Sequence, residues 1–119
     1  MAPENANIFF LDDNVDYLET MKDKLEEAGH SVPLVAHTLQ EGKEAILKFE
    51  EHHINVAILD RRLNPRDEKN ADGERIGEEI QRTHTEVILI GNSTSGIECA
   101  RLNNYGKEFS NLIKMVTEA

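Results

Sequence analysis

Cysteine and basic residues are both scarce in this 119-residue sequence. Cys99 is the only cysteine, so no intramolecular disulfide can form, as is typical of proteins in reducing compartments. Lys and Arg total 13 against 23 Asp and Glu, which gives a formal net charge of −10. Because phosphates and anionic lipids repel such a chain, non-specific binding to nucleic acid or to a membrane surface is disfavoured.

Long apolar runs and several common catalytic motifs are also missing. No segment reaches the ~20 apolar residues of a membrane-spanning helix, and the N-terminus lacks the pattern of a signal peptide. There is neither a Gly-x-x-x-x-Gly-Lys-Ser/Thr phosphate loop nor a Gly-x-Ser-x-Gly motif, which disfavours nucleoside triphosphatases and the corresponding hydrolases. The pair His52-His53 has no third ligand at metal spacing and indicates a solvated helix end. We therefore expect a cytoplasmic protein with a single domain spanning residues 1–119.

Two short apolar runs end abruptly in acidic residues. Residues 54–59 lead into Asp60, and residues 8–11 lead into Asp12-Asp13. Apolar runs of this length are typical of strands buried on both faces of a parallel sheet, and ligands bind at the carboxyl ends of such strands. Each acid taken alone is compatible with a loop start or a helix cap. Two strands that deliver acids to one sheet edge favour a cation site.

Strands and helices alternate along the chain. The patterns predict strands at 7–12, 31–38, 54–59 and 87–90. They predict helices at 14–28, 42–51 and 74–82, and a last helix that begins near Phe109. Residues 97–103 are predicted as a short or frayed helix, and a weak fifth strand is predicted to end at 105–107. The alternation implies right-handed crossovers and a parallel sheet.

These features resemble the receiver domain of two-component response regulators. The resemblance covers essentially the whole chain and depends on Asp12-Asp13 after strand one, Asp60 after strand three, hydroxyl residues after strand four and Lys107 before the last helix. It implies a flavodoxin-like three-layer α/β sandwich, with a five-stranded parallel sheet of order 2-1-3-4-5 and helices on both faces. Since the segment between strands four and five is short, the fourth helix is expected to be short or disordered.

The resemblance also implies a chemistry for the acids. Asp13 and Asp60 would bind Mg²⁺ directly, the backbone carbonyl of Arg62 would add a ligand, and Asp12 would act through water. An all-oxygen site of this kind suits Mg²⁺. Asp60 would accept a phosphoryl group as an acyl phosphate, with Mg²⁺ and the ammonium of Lys107 neutralising the phosphoryl oxygens. The alternative for Lys107 is a solvated lysine at a helix start.

The chain departs from the family pattern beside this site. The place of the family's hydroxyl at the end of strand four falls on Gly91, so Ser93 or Thr94 would supply the hydroxyl from a reshaped turn. The loop after Asp60 carries an insertion around 64–71, which makes it long for a βα loop. Because glycines bracket the turn after strand four, we expect residues 91–107 to be mobile before phosphorylation and partly ordered after it.

The residues leave three functions open. The preferred one is a signalling protein phosphorylated on Asp60 by a histidine kinase or a histidine phosphotransfer protein. It would act on a downstream protein effector, not on nucleic acid or membrane, and would catalyse only its own phosphorylation and dephosphorylation. The second is a receiver-fold adaptor whose output does not depend on phosphorylation. The third is a small aspartyl-phosphate phosphatase, which is disfavoured because Asp12-Asp13 lacks the Asp-x-Asp spacing of the haloacid-dehalogenase-like enzymes.

Overall fold

The computed structural model describes residues 6–63 and 70–118. Within these ranges the chain forms five strands: β1 (Asn7–Leu11), β2 (Ser31–Ala36), β3 (Val56–Leu59), β4 (Ile88–Gly91) and β5 (Leu102–Asn103). It also forms four helices: α1 (Val15–Glu27), α2 (Leu39–Ile46), α3 (Asp72–Thr83) and α4 (Phe109–Glu118). Most of the insertion predicted at 64–71 lies outside the described residues.

The strands form one sheet in the order β2-β1-β3-β4-β5, and every neighbouring pair is parallel. This is the predicted flavodoxin-like arrangement, so the predicted fold class is confirmed. Leu11 at the end of β1 pairs with Leu59 at the end of β3, which in turn pairs with Gly91 at the end of β4. The residues that follow these three strands therefore emerge side by side at one edge of the sheet.

Helices cover both faces of the sheet and bury two apolar cores. The core under α2 and α3 includes Phe9, Leu11, Ile46, Ile76 and Ile80. The core under α1 and α4 includes Ile8, Phe10, Leu18, Leu112 and Val116. Because successive strand residues point to opposite faces, β1 contributes to both cores, and this is why its apolar run is uninterrupted.

Side-chain caps explain where the first two helices begin. Asn14 caps α1 by accepting the N–H of Tyr17 at 3.0 Å. Thr38 caps α2 by accepting the N–H of Glu41 at 3.1 Å, so that α2 begins at Leu39. The prediction of a helix at 42–51 was therefore displaced, because the chain leaves the helix after Ile46 and continues as turns. No helix among the described residues is long and apolar enough to cross a membrane.

The connection between β4 and β5 differs most from expectation. The described residues contain no helix here: 97–100 make a turn, and 102–103 form β5. The short helix predicted at 97–103 is therefore wrong, and the fifth strand ends at Asn103 rather than at 105–107. The carboxylate of Glu74 in α3 accepts the N–H groups of Glu98 and Cys99 at 2.6 and 3.1 Å. These bonds satisfy two backbone N–H groups in a segment that has neither a helix nor a strand ladder to satisfy them.

Candidate functional site

Three carboxylates meet where β1 and β3 end. The N–H of Asp60 donates to the carbonyl of Leu11 at 2.9 Å, so the sheet ladder itself fixes the backbone of Asp60 beside the end of β1. One oxygen from each of Asp12, Asp13 and Asp60 lies within 4.8 Å of the others. Asp12 and Asp60 are buried, whereas Asp13 is half-buried at the rim. The structure thus brings together the acids that the two strand ends predicted.

The ammonium of Lys107 lies between two of these acids. Its Nζ is 3.2 Å from Asp12 Oδ2 and 3.3 Å from Asp60 Oδ2, and its side chain is 25% exposed. Burial lowers the pKa of Lys107, but the two carboxylates together outweigh burial and leave the pKa raised. Lys107 is therefore a member of the carboxylate cluster rather than a solvated lysine at a helix start.

One ammonium does not compensate three carboxylates. Burial, followed by the charge of Asp12, raises the pKa of Asp60 to about 7 despite the attraction of Lys107. Burial also raises the pKa of Asp12, although the hydrogen bond from the Asn14 N–H and the positive charge of Lys107 act to lower it. A cluster of carboxylate oxygens with an excess of negative charge fits a hard divalent cation such as Mg²⁺.

The other residues predicted for the site line the same pocket. Its lining comprises Asp13, Asn14, Asp60, Arg62, Ser93, Thr94 and Lys107. Ser93 is buried, and its hydroxyl lies 3.2 Å from that of Ser95, whereas Thr94 is exposed. Both predicted hydroxyl residues therefore face the region where the acids converge.

Gly91 allows the close packing of the β4–β5 connection and does not line the pocket. A Cβ at Gly91 would lie 1.9 Å from Oδ1 of Asn103. That oxygen accepts the N–H of Ile97 at 2.8 Å, and the amide nitrogen of Asn103 donates back to the carbonyl of Ile97 at 3.2 Å. The glycine leaves room for an amide that braces the turn, and the hydroxyl residues Ser93 and Thr94 come two and three residues later.

A chain of buried and half-buried polar side chains beside the site was not anticipated from the sequence. Asn92, Asn104 and Tyr17 are joined to one another by hydrogen bonds and reach the backbone of Lys107. The only sequence signal is an asparagine that follows β4 and another that follows β5. Burial raises the pKa of Tyr17, so its hydroxyl remains a donor.

The comparisons with known proteins concern the fold. No protein-family model matches the sequence, and no curated protein matches it. Solved response regulator receiver domains do match the structure. A CheY-like receiver domain protein from Methanospirillum hungatei JF-1 aligns with a TM-score of 0.76 at 20% identity, over 95% of this chain and 91% of that one.

Two further structures match equally broadly. The CheX-CheY-BeF3-Mg²⁺ complex from Borrelia burgdorferi matches with a TM-score of 0.73 at 19% identity, over 95% of this chain and 87% of that one. The receiver domain of NtrX from Brucella abortus matches with a TM-score of 0.72 at 20% identity, over 94% and 95%. At these identities the likeness establishes the fold alone. The chain therefore has the CheY-like receiver fold, and the resemblance stated from its sequence is confirmed at that level.

Proposed function

We propose that this protein is a phospho-accepting signalling domain that is phosphorylated on Asp60 with the help of Mg²⁺. The observation that carries the proposal is the convergence of Asp60 with Asp12, Asp13 and Lys107 in one pocket at the carboxyl ends of the strands. A role in two-component signalling agrees with the receiver fold. As a cytoplasmic domain spanning residues 1–119, it would catalyse only its own phosphorylation and dephosphorylation.

The chemistry is an in-line transfer to a carboxylate. An oxygen of Asp60 attacks phosphorus, the bond from phosphorus to the donor's nitrogen or oxygen breaks, and its electron pair leaves with the donor. The product is a mixed anhydride on Asp60. Since a protonated Asp60 is a poor nucleophile, the positive charge of Lys107 at 3.3 Å promotes the reaction by favouring the ionised form.

Mg²⁺ fits this site through oxygen donors only. Asp13, Asp60 and the carbonyl oxygen of Arg62 would hold it directly, and Asp12 would act through water. When bound, the ion neutralises charge on the carboxylates and on the phosphoryl oxygens. The likeness to a complex containing CheX, CheY, BeF3 and Mg²⁺ supports both the ion and a protein partner. The donor would be a histidine kinase or a histidine phosphotransfer protein, and the output would pass to a protein effector.

Intact-mass measurement tests this proposal. After incubation with acetyl phosphate or phosphoramidate and Mg²⁺, the protein should gain one phosphoryl group that alkali removes, and Asp60→Asn should gain none. An authentic receiver treated in parallel shows that the conditions are adequate. If that control is labelled and this protein never shifts in mass, the proposal is wrong. Sustained hydrolysis of p-nitrophenyl phosphate would favour the small-phosphatase alternative instead.

The bracing of the β4–β5 connection favours a second candidate, an adaptor whose output does not depend on phosphorylation. Glu74 and Asn103 tie the backbone of residues 97–99 in place, which opposes the expectation that 91–107 moves freely. Backbone NMR with and without beryllofluoride separates the two functions. Signals of residues 91–107 that the mimic leaves unchanged, although it binds, would support the adaptor.

A further inference from the structure

Tyr17 in the first turn of α1 contacts Lys107 at two points. The Tyr17 hydroxyl donates to the carbonyl oxygen of Lys107 at 3.0 Å. The Lys107 ammonium lies over the Tyr17 ring, with Nζ 5.1 Å from the ring centroid. One aromatic side chain therefore contacts both the backbone and the charged end of the lysine that enters the carboxylate cluster.

The backbone of Lys107 requires such support. Its φ angle is 54°, in the left-handed region that residues with a Cβ adopt only when the surrounding structure compensates for the strain. Its N–H donates to the carbonyl of Asn104 at 3.2 Å, and the Tyr17 hydroxyl secures its carbonyl on the other side. From this turn the side chain reaches Asp12 and Asp60 at 3.2 and 3.3 Å.

Neighbouring groups determine the direction of the Tyr17 hydroxyl. The amide nitrogen of Asn92 donates to the Tyr17 oxygen at 2.9 Å, which leaves the tyrosine proton for the Lys107 carbonyl. Asn104 donates to Asn92 at 3.1 Å, and Asn111 of α4 donates to Asn104 at 3.0 Å. All of these donors point the same way, so each bond polarises and strengthens the next.

Packing holds the ring as well as the hydroxyl. Tyr17 stacks on Phe109, the first residue of α4, with ring centroids 5.7 Å apart and an interplanar angle of 21°. The contact connects α1 to the end of the loop that carries Lys107. A tyrosine fixed at ring and hydroxyl can in turn fix the lysine beside it.

We infer that Tyr17 is a positioning residue for the phosphoryl transfer, which holds Lys107 in its left-handed turn with its ammonium over the carboxylates. The kinetic consequence rests on the proposed function of Asp60. The structural consequence, the conformation of Lys107, rests on the geometry alone. The two consequences can therefore be tested separately.

The decisive variant is Tyr17→Phe, which keeps the ring and removes the hydroxyl. We expect the labelling rate with acetyl phosphate and Mg²⁺ to fall about fivefold, the equivalent of one net hydrogen bond. We also expect NMR to show a weaker intraresidue amide-to-Hα NOE at Lys107, the signature of a positive φ. Tyr105→Phe is the matched control, since Tyr105 is 58% exposed, and it should alter neither readout.

A double-mutant cycle separates positioning from general stability. In a Lys107→Ala background, Tyr17→Phe should slow labelling no further, because the hydroxyl acts through Lys107. If Tyr17→Phe lowers the labelling rate by the same factor with Lys107 and with Ala at position 107, the inference is wrong. It is also wrong if Tyr17→Phe changes neither the labelling rate nor the amide-to-Hα NOE of Lys107. If the wild-type protein is never labelled, the proposed function fails, and the NOE alone decides: its loss in Tyr17→Phe supports the hold on Lys107, and its retention refutes it.

Discussion

At the scale of the residue, Asp60 shows how position controls chemistry. The sheet ladder places its backbone beside Leu11, and only 8% of its side chain is exposed. Burial and the charge of Asp12 both disfavour the ionised form, and Lys107 only partly offsets them. Because the pKa of Asp60 is raised to about 7, its ionisation costs folding free energy, so the ionised form that acts as nucleophile destabilises the metal-free fold.

The pH dependence of stability follows from this pKa. In the unfolded chain Asp60 titrates near 3.8, and in the fold at about 7, so the metal-free fold loses stability as pH rises between these values. Asp60→Asn does not titrate. In EDTA, the stability of Asp60→Asn relative to the wild type should therefore increase with pH. The difference in unfolding free energy, variant minus wild type, should be about 1–3 kcal/mol larger at pH 8 than at pH 5. Urea titrations at the two pH values measure this difference, and a difference that does not change with pH would contradict the pKa.

Substitution of Asp13 tests the proposed metal site independently of the titration of Asp60. Mg²⁺ that binds only the native state should raise the melting temperature. At a concentration 100 times Kd, it should raise the unfolding free energy by about 2.7 kcal/mol. Asp13→Ala should remove this response while leaving metal-free stability unchanged or higher, because one repelling charge is gone. Asp16→Ala, which removes an exposed acid from the first turn of α1, is the control. A Mg²⁺ response of equal size in Asp13→Ala would place the ion elsewhere.

At the scale of the element, the β4–β5 connection shows how a segment without a helix is held. The carboxylate of Glu74 accepts two N–H groups of this segment and lies 3.7 Å from the Arg61 guanidinium. Although burial raises the pKa of Glu74, the bonds from Cys99 and Glu98 and the charge of Arg61 outweigh it and lower that pKa. Glu74 is thus held ionised as an anchor, and the Cys99 thiol beside it has its pKa raised to about 12 by burial and then by Glu74.

The glycine that ends β4 gives a test of this bracing. Gly91→Ala would place a Cβ 1.9 Å from Asn103 Oδ1 and displace the amide that braces Ile97. We expect a loss of about 1–3 kcal/mol in unfolding free energy, as for overpacking in a core. Gly106→Ala is the matched control, because the nearest atom to its Cβ would be 3.4 Å away. Equal unfolding free energies for the two variants would show that Asn103 yields without cost.

Sequence patterns predict those helices and strands whose buried residues follow a simple pattern along the chain. β1 and β3 stand out as uninterrupted apolar runs, because helices cover both faces of the sheet, and the acids that end them locate the site. The connection after β4 has no such pattern, since Glu74, Asn103 and Asn92 act through partners that are distant in the chain. Pairings of this kind depend on the assembled fold, and for that reason the bracing and Tyr17 were not foreseen.

At the scale of the whole molecule, one histidine connects the two ends of the described chain. The N–H of Ala6 donates to Nδ1 of His30 at 3.0 Å, and the Nε2 of His30 lies 3.2 Å from the hydroxyl of Thr117 in α4. Because Nδ1 accepts a hydrogen bond, His30 is neutral in the fold, and burial lowers its pKa accordingly. Protonation would break the contact with Ala6 and place a charge between β1 and α4.

His30 should therefore weaken the fold in acid, in the direction opposite to Asp60. With a folded pKa below its usual value of 6.5, the histidine binds protons more readily in the unfolded chain, so stability falls as pH drops below about 6.5. The Asp60→Asn background removes the opposing titration of Asp60 and isolates this effect. In EDTA, adding His30→Gln to that background should reduce the loss of unfolding free energy between pH 7.5 and 5, compared with the Asp60→Asn parent. Urea titration at both pH values decides the matter: an undiminished acid loss in His30→Gln would mean that protonation of His30 does not weaken the fold.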